Sequence, residues 1–194
     1  TITAQSAGDF VINKATPTVT LSVTNSPVTY DGGAKSATVV DSLATTPGLV
    51  TNILTGGAAT QMNAGTHAVT ANFVPTDSTN WNTITAQSAG DFVINKANQA
   101  ALLLVDPSPV VFGTTPTLST TGGSGTGAVT FDDGASTDCS VSGATLSVIN
   151  VGASCSVTAT KAADANYNVA NSAATPITLA KATPTVTLSV TNSP

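Results

Sequence analysis

Apolar and polar residues alternate along most of the chain with a period of two residues. In Pro17–Val23 the valines and the leucine fall on one face, and the threonines and the serine fall on the other. Three further segments alternate in the same way: His67–Phe73, Thr145–Ile149 and Ser154–Thr160. Because successive side chains of a β-strand point to opposite faces of a sheet, this pattern predicts strands that each bury one face.

Turn signals separate these strands at short intervals. They are rich in glycine and aspartate: Asp31-Gly32-Gly33, Gly56-Gly57, Gly122–Gly125 and Asp132–Gly134. Glu and Arg, which favour helices, are absent from the sequence, whereas Thr and Val, which favour strands, are abundant. We therefore predict an all-β fold of antiparallel β-sandwiches with almost no helix.

Internal repetition sets the domain organisation. Thr1–Lys14 is identical to Thr83–Lys96, and Lys14–Pro27 is identical to Lys181–Pro194. The second pair gives a repeat period of 167 residues. Identity over whole segments indicates recent duplication within a longer tandem array.

The positions of the repeats predict four parts of the chain. They are the last strand or strands of a preceding module (1–14), a first full module (15–96), a second full module (97–181) and the first strand of a following module (182–194). The end segments are expected to be strands that lack partners unless neighbouring copies supply them.

The two full modules look like distant copies of each other. Ser26–Tyr30 matches Ser108–Phe112, and Asn63–Ala71 matches Asn150–Ala159 with one extra residue. The matches occur in the same order in both modules. We therefore predict one shared fold for the two modules.

Short motifs in both modules carry a resemblance to a known family. Tyr30-Asp31-Gly32 and Asn63–Val69 are similar to the Y-D-G and N-A-G-T-Y-x-V motifs of MBG-type repeats, some of which are described as mostly β-grasp. Gly122–Gly125, Cys139–Gly143 and Asp164–Tyr167 resemble another bacterial repeat. The chain thus resembles bacterial immunoglobulin-like tandem repeats of large surface or adhesin-like proteins.

The resemblance implies tandem antiparallel Ig-like β-sandwich modules, with a mostly β-grasp fold as the alternative for the first module. Such families carry no catalytic residues to transfer. The resemblance therefore specifies the type of repeat and says little about activity.

The charge of the chain excludes some classes of partner. Charged residues make up 8% of the sequence and the formal net charge is −5. Nucleic acids need a basic face, and anionic membranes attract clusters of Lys and Arg. The longest apolar runs, such as Ala100–Val105, are too short to span a bilayer. We expect neither nucleic-acid binding nor membrane insertion in this segment.

Cys139 and Cys155 are the two cysteines of the chain. A redox pair or half of a metal site are the alternatives, but the sequence has no C-x-x-C motif, second cysteine pair or histidine cluster. We therefore predict a structural disulfide formed in an oxidising compartment.

Aspartates in the turns are the only candidates for a cofactor site. Calcium binds six to eight oxygen ligands, and Asp132, Asp133 and Asp138 are the best candidates, with Asp77 and Asp164 in the N-[W/Y]-N loops. No EF-hand spacing occurs, and Asp is also an ordinary turn residue. The expectation is no cofactor, with calcium at these residues as the alternative.

Three ring side chains are candidates for ligand contact or catalysis. Trp81 and Tyr167 lie at matching positions between asparagines, where they either stack on a sugar or anchor the loop before the last strand. His67, the single histidine, lies where the second module has Cys155. The alternation places His67 inward or at a strand edge, which favours a packing role over a catalytic one.

These observations predict a structural protein and not an enzyme. No G-x-S-x-G, P-loop or H-E-x-x-H motif occurs. We expect a semi-rigid extracellular stalk or fibre, secreted or on the cell surface, whose partners are neighbouring repeats of the same chain. The alternatives are a filament subunit that assembles by β-strand addition, and a carbohydrate-binding or cell-adhesion module that binds a glycan or a surface receptor.

Overall fold

The computed structural model describes residues 8–191, and these residues form strands, turns and loops without a helix. The all-β prediction is confirmed. The chain divides into two compact units between Lys96 and Ala97, the junction at which the repeats predict a module boundary.

The first unit contains two sheets. Its strands are β1 (Val19–Val23), β2 (Val28–Thr29), β3 (Val39–Ala44), β4 (Gly48–Thr55), β5 (Gly65–Pro75) and β6 (Ile84–Asn95). β1 and β3 form a two-stranded antiparallel sheet. The second sheet has the order β2-β6-β5-β4, in which β2 runs parallel to β6 and the other pairs are antiparallel.

The core of the first unit lies between these sheets. Phe73, Phe92 and Ile94 of the four-stranded sheet are almost completely buried, and they share one cluster with Leu21 and Val39 of the two-stranded sheet. The buried residues of β5 and β6 alternate with exposed or half-buried ones. The period of two in the sequence thus places the apolar side chains on the inner faces.

The second unit has more strands than the first, and they are shorter. They are β7 (Leu102–Val105), β8 (Val110–Val111), β9 (Ser119–Gly122), β10 (Val129–Asp132), β11 (Cys139–Ser142), β12 (Thr145–Val148), β13 (Ser156–Lys161), β14 (Ala170–Asn171), β15 (Thr175–Pro176) and β16 (Leu179–Ala180). β7 pairs with β9, and β13 pairs with β10, β14 and β15, all antiparallel. β8 runs parallel to β16, and β11 and β12 form a hairpin.

Matching residues make matching hydrogen bonds in the two units. The hydroxyl of Ser26 accepts the backbone N–H of Val93 at 2.9 Å, and the hydroxyl of Ser108 accepts that of Thr178 at 2.8 Å. In each unit, the next residues form the short strand that runs parallel to the last strand. The ordered sequence matches therefore correspond to a parallel pairing that both units share.

The first part of each unit runs parallel to the last part. Ala15 bridges to Trp81, and Val28 pairs with Ile94, both in the parallel sense. The chain therefore enters the first unit beside the start of β6 and leaves it at the end of β6. Since β6 has 12 residues at about 3.3 Å each, these two points are about 40 Å apart.

The last segments of the two units form strands of different length. β6 starts at Ile84, well before the apolar alternation becomes visible in the sequence. In the second unit the corresponding segment is divided into β14, β15 and β16, and between β14 and β15 the hydroxyl of Ser172 accepts the backbone N–H of Ala159 at 2.9 Å. This side-chain contact interrupts the ladder, and Pro176 has no N–H to extend it.

The end segments contain the same sequences as core strands but lie outside both units' ladders. Residues 8–14 and 182–191 form no strand, and residues 1–7 and 192–194 of the predicted end strands lie outside the described part of the chain. Phe10 is 91% exposed, whereas the identical position Phe92 is 0% exposed. Val186 and Leu188 are likewise exposed, whereas Val19 and Leu21 are buried.

This contrast provides a matched pair of substitutions. Phe92→Ala is expected to lower the free energy of unfolding of the first unit by about 3–5 kcal/mol, because it leaves a cavity in the core. Phe10→Ala, in the same local sequence, is expected to change it by less than about 0.5 kcal/mol. Urea unfolding followed by fluorescence of Trp81, the single tryptophan, measures both, and equal effects would contradict the assigned core.

Candidate functional site

The predicted disulfide between Cys139 and Cys155 is formed. Its Cα atoms are 5.4 Å apart, and the residues are 1% and 3% exposed. Cys139 is the first residue of β11 and Cys155 directly precedes β13. The bond therefore joins the β11–β12 hairpin to the strand around which the larger sheet of the second unit is built.

The disulfide is part of the second unit's core. Both cysteines belong to a buried cluster with Leu118, Leu146 and Val157. This core contains no fully buried aromatic side chain, in contrast to the first unit with Phe73 and Phe92. The core of the second unit thus contains a covalent bond, whereas the core of the first unit contains two large aromatic side chains.

His67 occupies the position of Cys155 in the first unit. It is half-buried on the inward face of β5, two residues before the buried Val69, as Cys155 is two residues before Val157. Its Nε2 lies 3.2 Å from the carbonyl oxygen of Asn63. This arrangement agrees with the predicted position at the inner face or edge of a strand.

The three aspartates that were the best calcium candidates each accept a backbone N–H, in a local turn for Asp132 and from a separate segment for Asp133 and Asp138. Asp132 accepts the backbone N–H of Gly134, and Asp133 accepts that of Val141 at 2.9 Å. Asp138 accepts the backbone N–H of Ser154 at 2.8 Å, beside the disulfide. Within residues 8–191 no three His, Cys, Asp or Glu side chains form a group that could hold a metal ion. These carboxylates hold backbone groups in place, and calcium at these residues stays the alternative to the expectation of no cofactor.

Asp164 organises the loop before the last segment of the second unit. Its carboxylate accepts the backbone N–H groups of Thr126, Asn166 and Tyr167 at 2.7, 2.9 and 2.8 Å. These hydrogen bonds, with that from Thr126 the largest, lower the pKa of Asp164 from 3.8 to about 2. The negative charge is therefore used to hold backbone groups in place.

Asp77 has the same role in the first unit. It accepts the side-chain amide of Asn80 at 2.8 Å and the backbone N–H groups of Thr79 and Asn80. These contacts, the Asn80 side chain first, lower the pKa of Asp77. The two N-[W/Y]-N loops are thus built on the same kind of carboxylate cap.

Trp81 and Tyr167 are half-buried beside the point where the chain enters each unit. Trp81 bridges to Ala15 and Tyr167 to Ala97, with backbone hydrogen bonds of 2.8 to 2.9 Å between neighbouring residues. Both aromatic residues therefore anchor the first residue of a unit to the loop before its last strand. This geometry favours the anchoring role over an open platform for a sugar.

The second unit also carries an open groove of about 680 Å³. Its lining is mostly hydroxyl, amide and carboxylate side chains, among them Asp132, Ser136, Thr158 and Asn171. The hydroxyl of Ser136 donates to the carbonyl of Ser156 and accepts its N–H. The sequence analysis missed this groove because residues of separate loops and strands come together there only in the fold.

Comparison with models of known protein families, with curated proteins and with solved structures found no match to this chain. In the described residues there is no helix of the length and apolarity required to cross a membrane.

Loss of the disulfide is expected to destabilise the second unit alone. A closed loop with a sequence separation of 16 contributes about 3 kcal/mol in the chain-entropy account. Hydrogen exchange with and without reductant measures each unit, and a Cys139→Ala/Cys155→Ala variant reproduces the reduced state. The first unit is the internal control, and equal protection of the second unit in both states would contradict the expectation.

Acid is expected to destabilise the second unit through Asp164. Because the folded-state pKa of about 2 is below the ordinary value of 3.8, the carboxylate stabilises the fold above pH 4, and this contribution is lost as the pH falls from about 4 to 2. Asp164→Asn should flatten the pH dependence of the second unit's melting temperature in that range. Asp9→Asn removes an equal charge outside the second unit and should leave this dependence unchanged.

Proposed function

We propose that this chain is a structural segment of a bacterial extracellular surface protein, a semi-rigid stalk or fibre of tandem Ig-like β-sandwich units. The observation that carries the proposal is the absence of a tether at the junction of the two described units. Asn95 still pairs with Thr29 of the first unit, and Ala97 already donates to the carbonyl of Asn166 in the second. Only Lys96 lies between these paired residues.

The strand arrangement supports the Ig-like assignment. In each unit a short early strand runs parallel to the last strand, and an antiparallel pair forms the opposite sheet. A β-grasp fold has a helix packed against its sheet, and residues 8–191 contain no helix. The sandwich is therefore favoured for both units over the β-grasp alternative for the first.

The disulfide supports an extracellular location. A buried structural disulfide persists in oxidising compartments and is rare in the cytosol. The bond joins a hairpin to the central strand of the second unit, where few large side chains are available for packing. Secretion would thus provide the oxidising conditions in which the disulfide that stabilises this unit persists.

A role without catalysis fits the chemistry of the described residues. The single histidine, His67, lies in the first unit, and the polar groove lies in the second. The carboxylates of Asp133, Asp138 and Asp164 accept backbone N–H groups of other loops and strands. The side chains best suited to proton transfer are thus used to fix loops.

Filament formation by β-strand addition is the second candidate function. The edge strand β4 (Gly48–Thr55) contains no charged residue, and charges on edge strands are a common protection against further pairing. The carbohydrate-binding alternative has less support because the groove has no aromatic lining and Trp81 and Tyr167 are half-buried.

The short junction predicts that the two units reorient together. Backbone ¹⁵N relaxation of the whole chain should give one shared rotational correlation time for both units. A variant with Gly-Gly-Ser-Gly-Gly inserted between Lys96 and Ala97 should give separate, shorter times, since a Gly/Ser linker is flexible. Independent reorientation of the units in the natural chain would overturn the semi-rigid stalk.

A further inference from the structure

We propose that the free edge of β4 pairs antiparallel with β4 of a second copy of this chain, about a two-fold axis at Leu49. The inference rests on the filament candidate described above and deepens it by naming the strand, the partner and the register. It does not depend on the stiffness of the junction, so it can fail while the stalk proposal stands.

β4 forms one edge of the four-stranded sheet of the first unit. It pairs with β5 on one side, and no other strand of residues 8–191 pairs with its far side. An open depression of about 430 Å³ lies beside its start and is lined by the segment from Asp41 to Pro47. A strand of another molecule therefore has access to this edge.

The edge lacks the charges that commonly prevent strand pairing. β4 contains only apolar and uncharged polar residues, and its Leu49 is 69% exposed. The edge strand at the matching place in the second unit, β10, ends on the exposed Asp132. Charged side chains on an edge strand oppose pairing with another chain. Of the two matching edges, β4 is thus the one suited to a partner.

The pairing of β4 with β5 determines which backbone groups of β4 are free. The N–H of Thr76 donates to the carbonyl oxygen of Pro47 at 2.9 Å, and the ladder of β4 and β5 continues from this pair. Hydrogen-bonded and non-hydrogen-bonded pairs alternate in an antiparallel ladder. Leu49 therefore directs its N–H and C=O toward β5, whereas Gly48 and Val50 direct theirs away from the sheet.

Two copies of this edge are complementary to each other about a two-fold axis. With the axis at Leu49, Gly48 of each copy lies opposite Val50 of the other, and these residues exchange their N–H···O=C hydrogen bonds. The two Leu49 residues form the non-hydrogen-bonded pair between them, with Cα atoms about 4.5 Å apart. The contact thus satisfies the free backbone groups and covers a side chain that is exposed in the single copy. A second copy is for this reason the partner that the edge fits.

A bulge limits the contact to a short stretch. The register of β4 against β5 shifts between Thr51 and Leu54, and Asn52 has a φ of 47°, in the left-handed region. Because a bulge bends the strand that carries it, we expect the pairing between copies to end at Thr51. So short a contact buries far less than the roughly 1,000 Å² of a stable interface. Single chains are therefore expected to dimerise with a Kd of the order of mM.

Repetition strengthens a weak contact of this kind. In the proposed tandem array the edge recurs once per period of 167 residues, and each contact that forms raises the effective concentration for the next one. A two-fold contact uses the same patch on both partners, and here the paired strands run in opposite directions. The inference therefore predicts lateral pairing of arrays that run antiparallel.

Cross-linking through one introduced cysteine measures the register. Both natural cysteines are held in the buried disulfide, so Leu49→Cys provides the single free thiol. Thr51→Cys is the matched control, because Thr51 is exposed on the same face of β4 but lies opposite Pro47 in this register. Under mild oxidation near mM concentration, we expect the Leu49→Cys dimer to form at least about tenfold faster on a non-reducing gel, since pairing raises the effective concentration of the facing thiols.

A charge at the axis gives a second measurement that needs no oxidation. Leu49→Lys places two like charges directly opposite each other, which opposes pairing. Thr51→Lys adds the same charge to the same face, away from the axis. Sedimentation equilibrium near mM concentration should show dimerisation weakened at least about tenfold by Leu49→Lys and less by Thr51→Lys. Native fluorescence of Trp81 in both variants checks that the first unit remains folded.

Three results would overturn the proposal. They are a natural chain that stays monomeric at mM concentration, equal cross-linking rates of the two cysteine variants, and dimerisation that Leu49→Lys leaves unchanged. The last result would place the association on another surface. Independent reorientation of the two units, in contrast, would overturn the semi-rigid stalk and leave this contact standing.

Discussion

The parallel alignment of the first and last segments holds each unit together. In the first unit this alignment extends from Ala15 beside Trp81 to Val28 beside Ile94, and the last strand also supplies Phe92 to the core. β6 pairs with β2 and β5 in its own sheet and also packs against β1 of the opposite sheet. The last strand thus contacts both sheets, and therefore the unit is complete only when the final residues of its sequence are in place.

The two units satisfy this constraint with different chemistry. The first unit fills its core with Phe73 and Phe92, whereas the second fixes its hairpin covalently through Cys139 and Cys155. Both place a carboxylate cap, Asp77 or Asp164, before the last segment. The strand arrangement is thus retained while the means of stabilisation changes.

Much of the fold was predictable because burial of one face leaves a period of two in the sequence. That pattern located strands such as β5 and β13. The disulfide could be predicted because the sequence contains only two cysteines. Strand pairing was less accessible because it depends on contacts far apart in sequence. The polar start of β6 shows no alternation; there Ala86, with a φ of 52°, donates its N–H to the side chain of Asn72 in β5. The groove near Ser136 likewise exists only through tertiary contacts.

Parallel terminal strands have a mechanical consequence. A pulling force applied where the chain enters and leaves a unit acts along the strands, so the hydrogen bonds between β2 and β6 are loaded in shear, all at once, and do not open one by one. In the second unit the corresponding pair is β8 and β16. There the disulfide prevents the segment between Cys139 and Cys155 from being stretched. Under tension the second unit would lengthen less per residue than the first. The segment closed by the disulfide would extend only after the disulfide is reduced.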